Sequence, residues 1–285
     1  MSRAKRVLVV GGTNFDVIAQ AERLPLEHEK LRGTACAVTP GGAGANTAAG
    51  LVRQGCSVRL ASAVGGDTAG MMCLQALRER GVDTSLVRVE AGARTSTAVV
   101  LSSGGGKRMM TFAGADRGLA FDAVTEGDVR GCDHVHVVGE PTQALRRIVA
   151  LAHGAGRSVS VEWNGRDMSD LAAKASLNFM NADEAARVPQ ASAADAATNA
   201  RRCADLVSGD VIVTMGPEGA LWATADGQLF HQPTTPVDPV DRTGGGDAFD
   251  AGVIAGWLNG EPPAACMRRG LDAALHVLRK VGAHP

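Results

Sequence analysis

Residues 239–252 read PVDRTGGGDAFDAG: an acid at 241, three consecutive glycines at 244–246, a second acid at Asp247, then an apolar run. Ala248, Phe249, Ala251, Gly252, Ile254 and Ala255 read as a helix apolar enough to be buried, so Asp247 falls in its first turn. The first N–H groups of a helix have no partner within it, and the dipole there favours negative charge. Glycines remove side chains from that end and let a ligand approach the backbone. Gly244, Gly245, Gly246 and Asp247 can therefore form a main-chain anion hole with a carboxylate base beside it. Phosphoryl transfer to an alcohol needs those two parts. A tight turn with Asp247 as a plain N-terminal cap is the competing reading.

Other phosphate loops fail on spacing. The Gly-Lys pair at 106–107 is followed by Arg108 and has Leu101 where a P-loop needs its first glycine. Gly42-Ala43-Gly44 begins a dinucleotide fingerprint, but Thr47 stands at the third glycine, which disfavours a dehydrogenase.

These residues need a frame to hold them. RVLVV at 6–10, ending in Gly11-Gly12, reads as a buried strand, followed by a glycine turn into a helix that ends near Gly55. Strands at 58–63, 133–138, 158–162 and 210–215 alternate with helices at about 67–80, 142–154 and 193–208. A hairpin at 220–223 and 228–230 precedes two helices, at about 246–259 and 264–280. The alternation predicts an α/β fold, a mostly parallel sheet covered on both faces. Residues 17–38 and 94–112 break it and read as short strands that pair in a small sheet of their own; the second is nearly a hairpin around 102–106.

Composition narrows the function. The 285 residues carry a net charge of −1, with no basic field for nucleic acid. Aromatics are 3% of residues and Tyr is absent, which argues against base-stacking platforms. No run approaches the roughly 18 apolar residues of a membrane span, and the N-terminal apolar run is too short for a signal peptide. Six cysteines, none in CxxC spacing, read as buried reduced thiols of a cytoplasmic protein.

Taken together, the motifs resemble the ribokinase-like, or PfkB, family of carbohydrate and nucleoside kinases, nearly end to end. Asp241, Thr243, Gly244, Gly246, Asp247 and Phe249 fit its D-T-x-G-A-G-D signature; Gly41–Asn46 followed by Gly55 resembles its N-terminal signature. VGGDTAG at 64–70 with Leu77 and Gly81-Val82-Asp83, Asn181-Ala182-Asp183-Glu184 as N-x-x-E, and Thr214–Gly219 as T-x-G-x-x-G complete the order. Two positions depart: Arg242 stands where Thr is commonest and Gly245 where Ala is, yet neither removes an amide or the base.

The resemblance implies a three-layer α/β/α domain over 1–285, with a small β-sheet lid from the insertions at about 17–38 and 94–112. It implies an ATP-dependent kinase of a sugar's primary alcohol, with Asp247 as base and the Gly244–Asp247 amides as anion hole. Asn14 and Asp16 match an N-x-D substrate motif whose carboxylate can accept from two vicinal hydroxyls; a capped turn is the alternative. Gly42, Gly44 and Asn46 would line the sugar, or simply turn the chain into a helix. Asn181, Thr214, Gly216 and Gly219 would border the nucleotide. Glu184 would hold Mg2+ through water, or merely favour a helix start with Asn181. Asp241 and the Thr243 carbonyl would serve a monovalent cation such as K+, completed by the C-terminal RKVGAHP. Glu162–Arg166 resembles the D-x-N-x-R block of several sugar kinases with Glu for Asp; Arg166 would meet phosphate or an acidic substrate, or form a surface salt bridge. Lys107 and Arg108, in the lid strands, are expected in solvent. The resemblance also implies a homodimer through the lid. A nucleoside kinase is the second reading and a phosphosugar kinase the third. A homologue that binds sugar or nucleotide without catalysis is weakened by the intact Asp247.

Overall fold

The computed structural model describes residues 3–103, 106–115, 117–188, 195–279 and 282. The chain starts with β1 (Arg6–Val10) and leaves it at once for β2 (Asn14–Gln20) and β3 (Ala35–Gly41). It returns through α1 (Ala43–Arg53), β4 (Ser57–Gly65), α2 (Thr68–Glu79) and β5 (Asp83–Glu90), then departs again for the hairpin β6 (Thr97–Ser103) and β7 (Gly106–Phe112). Next come α3 (Arg117–Asp122), α4 (Glu126–Arg130), β8 (His134–Val138), α5 (Gln143–Gly154), β9 (Ser158–Glu162), α6 (Ser169–Ala172) and β10 (Leu177–Asn181). The last part holds α7 (Ala182–Arg187), α8 (Ala196–Leu206), β11 (Asp210–Thr214), the hairpin β12 (Ala220–Ala223) and β13 (Leu229–Gln232), then α9 (Gly245–Leu258) and α10 (Pro263–Leu278).

Two sheets result. Nine strands form the larger, in the order β13-β12-β11-β10-β9-β8-β1-β4-β5. The strands from β11 to β5 run parallel, and only the β11–β12 and β12–β13 pairings are antiparallel. The chain steps from β1 to β4 on one side and later to β8 on the other, so strand order reverses at β1. In open α/β sheets the crevice at the carboxyl ends beside such a reversal is where ligands bind. The smaller sheet has the order β3-β2-β6-β7.

The parallel strands are short apolar runs because both faces are covered. One face packs Leu145, Ile148 and Val149 of α5, with Leu171 and Ala200, against the sheet. The other packs Leu51 of α1, Phe249, Val253 and Ile254 of α9, and Met267 and Leu271 of α10. Helix α9 touches both α1 and α10. It is buried nearly all round, as its uniformly apolar sequence requires.

The expected layers and the small sheet are both present. Two central-sheet strands escape the sequence alternation. β5 lies at the sheet edge and carries Asp83, Arg88 and Glu90 among its apolar residues. β10 reads LNFMN, its run broken by Asn178, which is buried and bonded by Trp163 Nε1 at 3.4 Å. The cysteines are free thiols, but only four of the six are buried: Cys36 is exposed on β3 and Cys56 is half-buried. Among the described residues no helix is long and apolar enough to cross a membrane.

Candidate active site

The expected site residues gather at the carboxyl ends of the parallel strands. Gly11–Thr13 follow β1, Glu162 and Asn181 end β9 and β10, and Thr214 ends β11.

Gly244 caps α9 with φ 78°, a left-handed conformation suited to glycine, and no side chain caps this end. A Cβ at Gly246 would meet nothing within 4 Å, so its bareness serves no internal packing; the space above it is open. Gly245 differs: a Cβ there would lie 3.1 Å from Leu278 Cδ2. Close packing against α10 accounts for glycine at this position.

Asp247, in the same first turn, is half-buried, and its Oδ2 accepts from Asn46 Nδ2 at 2.8 Å. Burial raises its pKa to about 6; the Asn46 bond pulls it down and the charge of Asp16 pushes it up. The carboxylate is therefore mainly ionised at neutral pH yet basic enough to take a proton. Asn46 Oδ1 is buried without a hydrogen-bond partner among the described residues.

Asn14 and Asp16 lie within β2, not in a capped turn. Being two residues apart, they share one strand face. Asp16 is buried, and Gly41 clears its carboxylate: a Cβ there would fall 2.0 Å from Oδ2. Gly42 and Gly44 serve the chain. Their Cβ atoms would strike Gly12 O at 2.7 Å and Gly11 C at 2.5 Å, so their absence lets α1 close on the β1–β2 connection.

On the other side of α9, Thr214, Gly216, Gly219, Arg242, Gly245 and Gly246 line one cavity of about 210 Å3. Leu271, Ala274, Leu275 and Leu278 of α10 form its apolar wall. Asn181 and Glu184 make a capping box on α7. Asn181 Oδ1 accepts from Glu184 N at 2.9 Å, and Glu184 Oε2 from Asn181 N at 3.0 Å. Glu184 Oε1 remains and faces the loop at Gly165.

Asp241 Oδ1 accepts from Thr243 N at 3.0 Å and Thr243 Oγ1 at 2.8 Å, and its Oδ2 from Gly282 N at 2.9 Å. It ties the loop before α9 to the C-terminal segment. Apart from Arg279 and Gly282, the RKVGAHP stretch lies outside the described residues. Arg166 pairs with Glu140 at 2.5 Å and donates to Asn164 O at 3.0 Å. Arg108 is exposed; the side chain of Lys107 lies outside the described residues.

Sequence reasoning passed over three groups. Asp250, one helical step from Asp247, is buried and hydrogen-bonded to Glu162. Burial, with the nearby charges of Glu184 and Asp247, holds both carboxyls above the usual carboxylate range, and Glu162 pushes Asp250 up further, so the pair retains a proton at neutral pH. The i, i+3 spacing of Asp247 and Asp250 was the available signal. Asp67 caps α2 and also binds Thr95 N at 3.0 Å and Thr95 Oγ1 at 2.6 Å, anchoring the chain where it leaves for β6. Arg117 donates to Asn14 Oδ1 at 3.1 Å, a contact that joins residues 103 positions apart and has no local signature.

Residues 4–285 match a family model described as pfkB family carbohydrate kinase. The chain is 31% identical to an ATP-dependent ribose-1-phosphate kinase of Halopiger xanaduensis over 258 residues, 89% of this chain and 85% of the relative. It is 27% identical to an aminoimidazole riboside kinase of Salmonella typhimurium over 275 residues, 89% of this chain and 81% of that one. Arabidopsis thaliana ribokinase, solved with ribose and ATP, superposes with a TM-score of 0.84 at 24% identity, covering 99% of this chain and 96% of that chain.

Proposed function

The chain belongs to the pfkB family of carbohydrate kinases, and we propose that it transfers the terminal phosphoryl group of ATP to a primary alcohol of a sugar-like acceptor with Asp247 as base. The observation that carries this reading is the juxtaposition, on one helix end, of a half-buried carboxylate and the open backbone at Gly246.

Asp247 takes the hydroxyl proton as the acceptor oxygen bonds to the phosphorus and the bond to ADP breaks. The amides of Gly244–Asp247 hold the charge that develops on the phosphoryl oxygens. Asn46 keeps Asp247 oriented through Nδ2 and offers its vacant Oδ1 to an acceptor hydroxyl. Asp16 and Asn14 hold the acceptor on the face of β2, beside the turn closed by Gly42 and Gly44. Thr214, Gly216 and Gly219 border the nucleotide phosphates, the apolar wall of α10 takes the base, and Arg242 lies at the phosphate end.

Mg2+ fits the donor set. Glu162 and Glu184 both raise the proton affinity of Asp250, and Glu184 that of Glu162, an excess of negative charge on hard oxygen donors. Among the described residues no three potential ligands converge on one point, so Glu184 would hold the ion through water, with Asn181 positioning Glu184. The ion would neutralise the charge of the transferred phosphate. Asp241 and the Thr243 carbonyl would hold a monovalent cation such as K+, and Asp241 also ties this loop to Gly282 N.

The small sheet serves as a lid over the acceptor. Its exposed Val38, Met109, Met110 and Phe112 support pairing of two copies through it, which sedimentation of the wild type against a Met109→Lys/Phe112→Lys double variant would test. We place the protein in the cytoplasm, where free thiols persist. The reading is tested by coupled ADP release from the purified protein against neutral sugars, sugar acids, sugar phosphates and nucleosides, with Asp247→Asn as control. Release that persists in Asp247→Asn, or no release with any acceptor, would sink it.

A further inference from the structure

Arg117 opens α3 and directs its guanidinium to the acceptor side of the site. Nη2 donates to Asn14 Oδ1 at 3.1 Å and to Ser96 Oγ at 3.4 Å. Nη1 lies against Gly12, where a Cβ would stand 2.7 Å away, so the missing side chain at 12 is what admits it. Both hydrogen-bond partners are neutral, and among the described residues Arg117 forms no ion pair. The charged groups that bear on it are Arg166, which repels it, and Glu140, already paired with Arg166 at 2.5 Å. Arg117 is half-buried; a guanidinium keeps its charge when partly withdrawn from water, and an anion offsets that cost more fully than neutral acceptors do.

We propose that Arg117 binds a phosphate or carboxylate group carried by the acceptor at the end remote from the reacting alcohol, so that the preferred substrates are anionic sugars. This rests on the kinase reading above. The planar fork of Arg117 has donors left over after Asn14 and Ser96, in the geometry that pairs with two oxygens of one anionic group. Asn14 holds the fork in place and shares its strand face with Asp16, so hydroxyls and anion are read by adjacent side chains. Arg166 adds positive potential to the same end, and Glu140 offsets only part of it.

The test compares ribose, ribose 1-phosphate and ribonate as acceptors for the wild type and for Arg117→Met. In the wild type, kcat/KM for one anionic sugar should exceed that for ribose by roughly tenfold or more; in Arg117→Met that ratio should fall roughly tenfold or more, toward one, within the worth of a charged hydrogen-bonded contact. The arm that shows the dependence tells phosphate from carboxylate. A wild-type ratio near one, or a ratio unchanged by the substitution, overturns the proposal. Calorimetric titration of the same sugars needs no turnover: binding should persist in Asp247→Asn and vanish in Arg117→Met, and equal binding by both overturns the assignment. Should Arg117→Met fail to fold, Arg117→Lys, which keeps the charge and loses the fork, should still lower the ratio. Absence of ADP release with every acceptor would defeat the kinase reading alone, with the calorimetry still deciding for Arg117.

Discussion

Asn46 and Asp247 are 201 positions apart in the chain and 2.8 Å apart in the structure. The bond links the N-terminal turns of α1 and α9, so the elements expected to hold acceptor and phosphoryl group share one contact. It also sets the charge of Asp247: accepting from an amide favours the ionised carboxylate, against the burial that disfavours it.

Asp247→Asn should therefore cut kcat roughly a thousandfold or more while the melting temperature stays close to wild type. In the wild type the base must be ionised, so kcat/KM should rise with pH through about 6 and then level. A profile flat from pH 5 to 8 contradicts the assignment.

Asn46→Ala removes the interaction that lowers the Asp247 pKa. The acid limb of the same profile should move to higher pH, and KM for the acceptor should rise because Oδ1 is lost as well. A limb that stays in place or moves to lower pH shows that the contact does not tune the base.

Gly246 and Gly252 separate function from packing within one helix. Gly246→Ala puts a methyl into open space, so it should fold normally and lose most turnover. Gly252→Ala puts one 2.6 Å from the Gly270 Cα and should cost about 1–3 kcal/mol of stability, read as a lower melting temperature. Full activity in Gly246→Ala would count against the anion hole.

Asp250→Asn tests the buried acid pair. Carboxyls with a raised pKa bind more protons folded than unfolded, so their contribution is complete below the ordinary carboxylate range near 4 and is lost as pH rises toward about 8. The variant should thus gain stability relative to wild type between pH 5 and 8, by up to about 1 kcal/mol per pH unit, measured by urea unfolding. A difference independent of pH would dissolve the pair as a proton-sharing unit.

Asp16→Ala should raise acceptor KM far more than ATP KM, because its carboxylate faces the β2 side and not the cavity of Thr214 and Gly216. Equal effects on both constants would argue for a structural role.

Much of this was legible in the chain. Apolar runs and periodicity gave β1, β4, β8, β9 and β11 and the large helices, since buried parallel strands and a fully buried helix leave strong patterns. The glycines at 244–246 marked the site because helix ends need caps and this one lacks a side chain to provide one. β10 stayed hidden because a buried asparagine satisfied by Trp163 looks polar in sequence. Gly42 and Gly44 read in sequence either as a sugar lining or as a turn into a helix, and added Cβ atoms there would meet Gly12 and Gly11; sequence shows that space is needed without showing what fills it. Arg117 and Asp250 owe their surroundings to residues far along the chain, Asn14 and Glu162, and no local pattern carries such pairings.

A Cβ on Gly252 would stand 2.6 Å from Gly270 Cα, and one on Gly270 would stand 2.7 Å from Phe249 O, so backbone packs close to backbone between α9 and α10. A Cβ on Gly270 would also meet Phe249 Cδ2 and Val253 Cγ2 at 2.8 Å, so the two helices have no spare room between them. The helix bearing Asp247 is therefore a fixed bench, and it cannot swing toward an arriving sugar. If the small sheet serves as the proposed lid, closure falls to it; it joins the core through Gly11–Thr13 and the segment that Asp67 grips at Thr95. Motion and chemistry would then be divided between two parts of the chain, and substitutions that slow closing should cluster far from those that slow phosphoryl transfer.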